Sequence, residues 1–262
     1  MATTAELLLR TAELLRGLRY GTATGGSTTT LVDTAMAEPD TYFNNGTIWF
    51  LSGNNAGKSA VVTDYDLTTH TFTFATQSAA CAAGNRYAVL DADYTREALV
   101  AALNTALLMI GPIDTVDDTL TVVADQETYT IPSGMSNVKR VQVAGDTTAP
   151  YQWGTPLRHW HEKNGTLHVD YSTVQGLGAD APIRLIGEKY HARVWADTDT
   201  VTDAVRQESI AIEAAYYAAL TRSGYNENSS DDAKNTLDRL EKLRAMNPVR
   251  VQRMSKDPTL AK

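Results

Sequence analysis

Residues 46–65 read GTIWFLSGNNAGKSAVVTDY. A short apolar run, Thr47–Leu51, follows the turn dipeptide Asn45-Gly46, and a second run, Ala60–Tyr65, follows a stretch rich in Gly, Asn and Ser. Runs of β-branched and aromatic residues separated by turn residues are typical of antiparallel strands. This stretch therefore predicts a β structure for the first third of the chain.

The same stretch contains Gly57-Lys58-Ser59, the ending of a phosphate-binding loop. The motif requires a glycine five positions before Gly57, and that position is Ser52. A phosphate loop must also open a helix whose N-terminal amides face the anion, whereas strand-like residues follow here. We interpret the segment as a turn. The enzyme alternative, a phosphate-binding hydrolase, predicts nucleotide binding that is lost in Lys58→Ala.

Strand-like segments continue on both sides of this stretch. The first β region, residues 21–90, also holds Thr28–Val32, His70–Phe74 and Arg86–Leu90, and a second β region covers residues 112–196. In the second region Asn164-Gly165 separates two alternating runs, which is a strong hairpin signal. The 35 threonines of the chain agree with a large β content.

Four segments have helical spacing of apolar residues. The first begins at Thr3 or Thr4, the second has Asp93 as its N-cap and ends at Gly111-Pro112, the third begins at Asp199 or Thr202, and the fourth begins at Ser229 or Ser230 and ends before Pro248. Each helix is too short to be stable alone in water, so we expect the helices to pack together or on a neighbour.

The order of these segments predicts an α+β fold. We expect a discontinuous four-helix adaptor-like bundle that carries two antiparallel β insertions and an extended C-terminal arm. In this division the helical core is residues 1–20, 91–111 and 197–247, the insertions are residues 21–90 and 112–196, and the arm is residues 248–262.

Composition excludes several classes of protein. The 262 residues carry a net charge of -8, which disfavours a general nucleic-acid binder. The single cysteine, Cys81, excludes an intramolecular disulfide and has no neighbouring base, so we expect a structural or exposed thiol. No apolar run approaches the roughly 18 residues of a membrane span, and the N-terminus does not have the pattern of a secretory signal.

Three histidines lie on the two arms of the predicted hairpin. His159 and His161 share one face of a strand, whereas the sequence does not fix whether His168 lies opposite them. A zinc site needs three or four ligands, and no local carboxylate pattern completes one. We therefore expect solvated histidines, no metal and no cofactor, with a pH-sensing interface as the next alternative.

The net charge hides an uneven distribution. Residues 234–262 hold eight Lys or Arg against three Asp or Glu, a charge of +5, and the remaining residues hold 15 against 28, a charge of -13. A solvated tail is one interpretation of the basic end. The more specific interpretation is an arm that docks on an acidic partner surface or on a neighbouring subunit. The docking would use the basic side chains Arg250, Arg253, Lys256 and Lys262.

The chain resembles the head-to-tail connector proteins, also called adaptor or neck proteins, of tailed bacteriophages. The resemblance is carried by short segments spread in order over most of the chain, and none of them is a catalytic signature. They are Gly46–Leu51, Asn55–Ser59, Val62–Asp66, Ala83–Val89, Tyr94–Asn104, Tyr129–Met135, Asn164–Leu167 and Ile210–Tyr225.

The resemblance implies a structural virion protein that is not an enzyme. Its copies would form a ring, commonly of twelve, between the portal protein and a tail or nozzle protein. The ring would line the channel through which the genome DNA passes without sequence-specific binding, and the arm would dock on the portal. The protein would be made in the host cytoplasm, act in the neck of the particle and contact no membrane. The alternative is another tail or baseplate protein whose β modules bind protein or carbohydrate through aromatic residues such as Trp153 and Trp160.

Overall fold

A computed structural model describes residues 1–145, 151–154, 156–170, 178–201, 204–223 and 231–249. The chain divides into two compact units: unit 1 comprises Met1–Ile110 and Ala192–Arg250, and unit 2 comprises Gly111–His191. The described helices are α1 Thr4–Leu14, α2 Arg96–Ile110, α3 Gln207–Ser223 and α4 Asp231–Met246, with a 3-10 turn at Ala92–Tyr94.

The described strands all pair antiparallel. In chain order they are β1 Ala2–Thr3, β2 Arg19–Thr22, β3 Gly25–Gly26, β4 Thr30–Val32, β5 Thr47–Phe50, β6 Lys58–Asp66, β7 Thr71–Phe74, β8 Arg86–Leu90, β9 Ile113–Thr121, β10 Thr128–Thr130, β11 Met135–Val143, β12 Trp160–Lys163, β13 Thr166–Val169, β14 Pro182–Lys189 and β15 Thr200–Val201.

The largest sheet lies in unit 1 and closes on itself. Its strand order is β2-β8-β5-β6-β7-β4-β3, so β2 and β3 stand at opposite edges. Only Ala23 and Thr24 separate them in the chain. The Ala23 amide donates to the carbonyl of Asn85, just before β8, and the Thr24 amide donates to the carbonyl of Val32 in β4. The two edges therefore meet, and the sheet encloses its own interior.

Aromatic and aliphatic side chains fill that interior. Phe43, Tyr65, Phe72 and Tyr87 are fully buried and contact one another at ring-centroid distances of 4.7–5.5 Å. Contacts of this kind add to the stability gained from burying the rings. The closed sheet thus has a hydrophobic core of its own.

The helices of unit 1 gather around α3, which contacts α1, α2 and α4. The buried face of α3 is rich in alanine, including Ala211, Ala214, Ala215 and Ala218, which lets neighbouring helices approach closely. Thr3 caps α1 in a reciprocal arrangement with Glu6, so one of the two caps predicted for the first helix is confirmed.

Unit 2 consists of two three-stranded sheets, β10-β13-β12 and β11-β14-β9. Residues from both sheets share one core, among them Tyr129, Leu167, Val141 and Leu185. The predicted hairpin at Asn164-Gly165 is confirmed: β12 and β13 flank this dipeptide, and both of its residues have positive φ, 51° and 72°. A two-residue turn of that geometry matches the twist of paired strands.

The predicted fold class is wrong. Strands make up 33% of the described residues and helices 26%, and the strands form several multi-stranded sheets. The chain is therefore not a four-helix adaptor-like bundle with β insertions. The physical reason is that both β regions bury their own hydrophobic cores, so neither depends on a helical frame for its apolar contacts.

Two predicted helix starts are also corrected. The second helix begins at Arg96 rather than after Asp93, because Asp91 caps the 3-10 turn and the Thr95 hydroxyl accepts from the Ala98 amide. The third begins at Gln207, because Asp199 binds the preceding segment instead of a helix. Thr202 and the predicted start at Ser229 or Ser230 lie outside the described residues.

Candidate functional site

The basic arm residues Arg250, Arg253, Lys256 and Lys262 all lie outside the described residues. Their role in docking stays a prediction that rests on the charge distribution of the sequence.

The Gly57-Lys58-Ser59 segment opens a strand and not a helix. Lys58 is the first residue of β6, and its ammonium donates to the Ser78 hydroxyl. The amide and hydroxyl of Ser59 both donate to the carboxylate of Asp197. The interpretation of this segment as a turn before a strand is confirmed, and its donors are engaged with protein groups.

Cys81 is buried in the core of the closed sheet. Burial raises the pKa of its thiol, although a hydrogen bond with Asn55 acts in the opposite direction. A thiol with a raised pKa has little thiolate at neutral pH and is a poor nucleophile. Of the two alternatives expected for Cys81, a structural or an exposed thiol, its burial favours the structural one.

The two tryptophans named for a binding surface differ in their surroundings. The Arg184 guanidinium lies 3.8 Å from the ring centre of Trp153, so it covers one face of that ring. Tyr151 contacts the same tryptophan edge to face at 5.7 Å. Trp160 is half-buried and packs against the core of unit 2.

The histidines of the hairpin come together in part. His161 on β12 pairs directly with His168 on β13, and their rings stack at 4.7 Å. His159 lies two pairs further from the turn than His161, with its Nδ1 atom 3.9 Å from the carboxylate of Asp170. No group of three or more metal ligands is assembled within the described parts of the chain.

A segment that the sequence analysis did not single out, Val194–Asp199, is fixed by side chains far away in sequence. The Asn104 amide group donates to the Val194 carbonyl and accepts from the Val194 amide, both at 2.9 Å. Asp199 accepts from the amides of Trp195 and Ala196, and these bonds lower the pKa of its carboxyl. We call Val194–Asp199 the crosspiece.

Three polar side chains meet at the crosspiece. Arg96 of α2 donates to Asp197 at 2.8 Å, to the Ser59 hydroxyl at 3.0 Å and to the Trp195 carbonyl at 3.0 Å. The side chains of Arg96 and Asp197 are only 20% and 15% exposed to solvent. Since charged hydrogen bonds shielded from water are strong, this cluster ties β6, α2 and the crosspiece together.

The crosspiece presents one large aromatic side chain to solvent. Val194 is 2% exposed, whereas the adjacent Trp195 is 62% exposed. Its backbone is held on both sides, by Arg96 at the carbonyl and by Asp199 at the amide. A rigidly held, exposed tryptophan is well suited to a protein contact, because little entropy is lost when it is covered.

Helix α2 has an exposed apolar side, which we call the outer face of α2. It consists of Ala98, Ala101, Leu108 and Met109 together with Thr105, whose hydroxyl donates to the Ala101 carbonyl, and helical spacing places all five on one side. Leu108 and Met109 are 63% and 65% exposed. From Ala98 to Ile110 the helix contains no charged residue, so this face lacks the charges of an ordinary solvated helix surface.

Sequence reasoning missed both features. The spacing of apolar residues places Arg96 and Asn104 in a helix without assigning either a contact, although an asparagine among alanines and leucines indicates a polar contact there. The long charge-free run of α2 was a usable signal for an exposed apolar face, since its opposite side is already filled by Leu99, Leu103 and Leu107.

Comparison with known proteins assigns no family. No protein-family model matches the chain, and no curated protein matches it significantly. Among the described helices, none has both the length and the apolar character needed to cross a membrane.

Proposed function

We propose that this protein is a structural component of a tailed-bacteriophage particle, a head-to-tail adaptor whose copies form a ring beneath the portal. In this role it joins the capsid to the tail and lines the channel for the genome. The observation that carries the proposal is the outer face of α2, a charge-free, exposed apolar surface on a well-packed helix. Such surfaces mark contacts with other proteins.

Two further observations support an assembly role. Trp195 is exposed on a crosspiece that the Arg96 and Asn104 side chains hold in place. The chain also combines a body with a charge of -13 and a C-terminal section with a charge of +5. Opposite charges on two parts of one subunit favour head-to-tail association of identical copies.

Electron cryomicroscopy of virions that contain this chain tests the proposal. We expect density for a closed ring of this chain, with twelve as the expected number of copies, between the portal and the tail. Its absence from purified virions, as measured by mass spectrometry, contradicts the proposal. A position on the tail tip or baseplate contradicts the adaptor role and favours the alternative of another tail protein.

Purified components give an independent test. The portal ring and the tail or nozzle protein encoded in the same genome should each retain this chain in a pull-down assay, and the portal complex should show one subunit of this chain per portal subunit. Failure to associate with the portal under any salt condition contradicts the adaptor role.

A further inference from the structure

We propose that the hairpin of unit 2 carries a binding site for a divalent transition-metal ion, formed by His161 and His168. The proposal is independent of the adaptor role, because it rests on one sheet face within unit 2. Zinc is the probe of choice, since it binds imidazole nitrogen and has no redox chemistry to complicate the measurement.

The hairpin stacks the two imidazoles face to face, close enough for one ion to bridge them once the rings tilt toward each other. His161 and His168 are direct cross-strand partners, with ring centres 4.7 Å apart and an angle of 4° between the ring planes. The Asn164-Gly165 turn fixes the register of the two strands. Leu167 and Val169 point into the core, so strand alternation places His168 and its partner on the outward side of the sheet.

Further ligands lie on the same outward face. His159 precedes His161 by two residues and is opposite Asp170, with the Nδ1–Oδ2 distance at 3.9 Å. The side chains of His159 and Asp170 are 69% and 65% exposed, so a change of rotamer toward the pair displaces no packed group. Imidazole nitrogen and carboxylate oxygen are both ligands of first-row transition metals, so His159 or Asp170 supplies a third ligand only after such a change of rotamer.

The side chains around His161 and His168 bring little positive charge that would repel a metal ion. Thr128 of β10 lies beside His168, and Lys163 and Thr166, two pairs nearer the turn, form the next pair on the same face. Glu162 is engaged elsewhere, because its carboxylate accepts from the Val138 amide. Lys163 is therefore the one cation contributed to this face by the three paired strands. The two stacked imidazoles must tilt before their nitrogens reach one ion, so with water or a recruited third ligand they give weaker binding than a closed structural zinc site.

Calorimetric titration of the full-length protein with zinc chloride at pH 7.5, after removal of any affinity tag, tests the site. We expect one zinc ion per chain. His161→Gln and His168→Gln should each weaken zinc binding about tenfold or more, and His159→Gln should weaken it less. Lys163→Gln changes the same strand face without removing an imidazole, so this control should bind zinc at least as tightly as the unaltered protein. Circular dichroism checks that each variant is folded.

Two outcomes overturn the proposal. One is zinc binding of the unaltered protein that does not saturate up to millimolar concentrations. The other is undiminished binding by folded His161→Gln and His168→Gln. If a variant fails to fold, proton NMR of the unaltered protein decides: paramagnetic Ni²⁺ should broaden the ring signals of His161 and His168 first. Earlier broadening at His70 or His191 contradicts the assignment.

Discussion

A single glycine allows the buried polar pair inside the closed sheet to form. The Tyr87 hydroxyl donates to the Asp33 carboxylate at 2.8 Å, and both residues are buried. Burial, followed by the hydrogen bond to Asp33, raises the pKa of Tyr87, so its hydroxyl remains a donor. A Cβ atom on Gly21 would lie 2.5 Å from the tyrosine oxygen and from the carboxylate, which leaves no room for a side chain.

Gly21→Ala should therefore lower the free energy of unfolding by about 1–3 kcal/mol, since a methyl group must displace a satisfied buried pair. Gly25→Ala is the matched control, because a Cβ atom at that nearby position meets nothing within 4 Å. Urea unfolding followed by circular dichroism measures both variants. Equal stability of the two variants would contradict the close approach at Gly21.

His191 should make stability depend on pH. Its Nε2 atom is buried without a hydrogen-bond partner among the described residues, and burial, with a smaller effect of Lys189, lowers the pKa of the imidazole. The unfolded chain thus binds the proton more readily, so this contribution to stability is present above the ordinary pKa of about 6.5 and is lost as the pH falls through that value.

The measurement is the free energy of unfolding between pH 7.5 and pH 5.5, compared with that of His191→Gln. We expect the unaltered protein to lose more stability over this range than the variant. Because the other histidines are common to both proteins, they cancel in the difference. An identical pH dependence in both proteins would show that His191 titrates alike in the folded and unfolded states.

At the scale of elements, the crosspiece connects parts of unit 1 that are distant in sequence. Its backbone accepts from the first turn of α1, where the amides of Thr4 and Ala5 donate to Asp199 and Asp197. The Asp197 carboxylate of the crosspiece accepts from Ser59 near the start of β6 and from Arg96 at the start of α2. Three elements therefore depend on one short irregular segment.

Asp197→Ala should destabilise unit 1 by about 2–4 kcal/mol, because it leaves the shielded Arg96 guanidinium and the Ser59 amide without their acceptor. A double-mutant cycle with Arg96→Ala isolates the ion pair: the double variant should lose less stability than the sum of the single variants. Additive losses, measured by chemical denaturation, would mean that the two residues act independently.

The outer face of α2 makes a different prediction, because its side chains are exposed. The double variant Leu108→Lys, Met109→Lys should change stability by less than about 0.5 kcal/mol, as expected for exposed positions. It should, however, weaken association with neighbouring copies or with the portal, which sedimentation velocity measures. Asn235→Lys on the exposed side of α4 is the control. Unchanged association would exclude this face from the contact.

Local signals made some elements predictable and left others hidden. The strand after Gly57 and the hairpin at Asn164-Gly165 follow from residues adjacent in sequence, so the pattern alone predicts them. The closure of the large sheet depends on Asn85 and Val32 bonding to the short link between β2 and β3, which no local pattern encodes. The same holds for the contact of Asn104 with Val194, since it joins residues 90 positions apart.

At the scale of the whole molecule, two β-rich units with separate cores replace the expected helical frame. Four segments with helical spacing favour a helical scaffold, whereas the threonine content and the spacing of turn residues favour extensive sheets, which the structure has. The sequence-based charge division is unaffected by this correction. A body with a charge of -13 and a C-terminal section with a charge of +5 remain the basis for predicting how copies associate.

Deletion of residues 248–262 should therefore leave the fold intact and weaken attachment to the portal or to a neighbouring copy. Attachment through the arm should also weaken as salt rises, because screening shortens the range of charge attraction to about 8 Å at physiological ionic strength. A full-length variant with Arg250, Arg253, Lys256 and Lys262 changed to Gln separates charge from chain length, and we expect it to lose the salt dependence. Circular dichroism reports the fold and a portal pull-down reports attachment.

If the truncated protein attaches as well as the full chain at every salt concentration, the basic end is a solvated tail, and association must rely on apolar surfaces such as the outer face of α2.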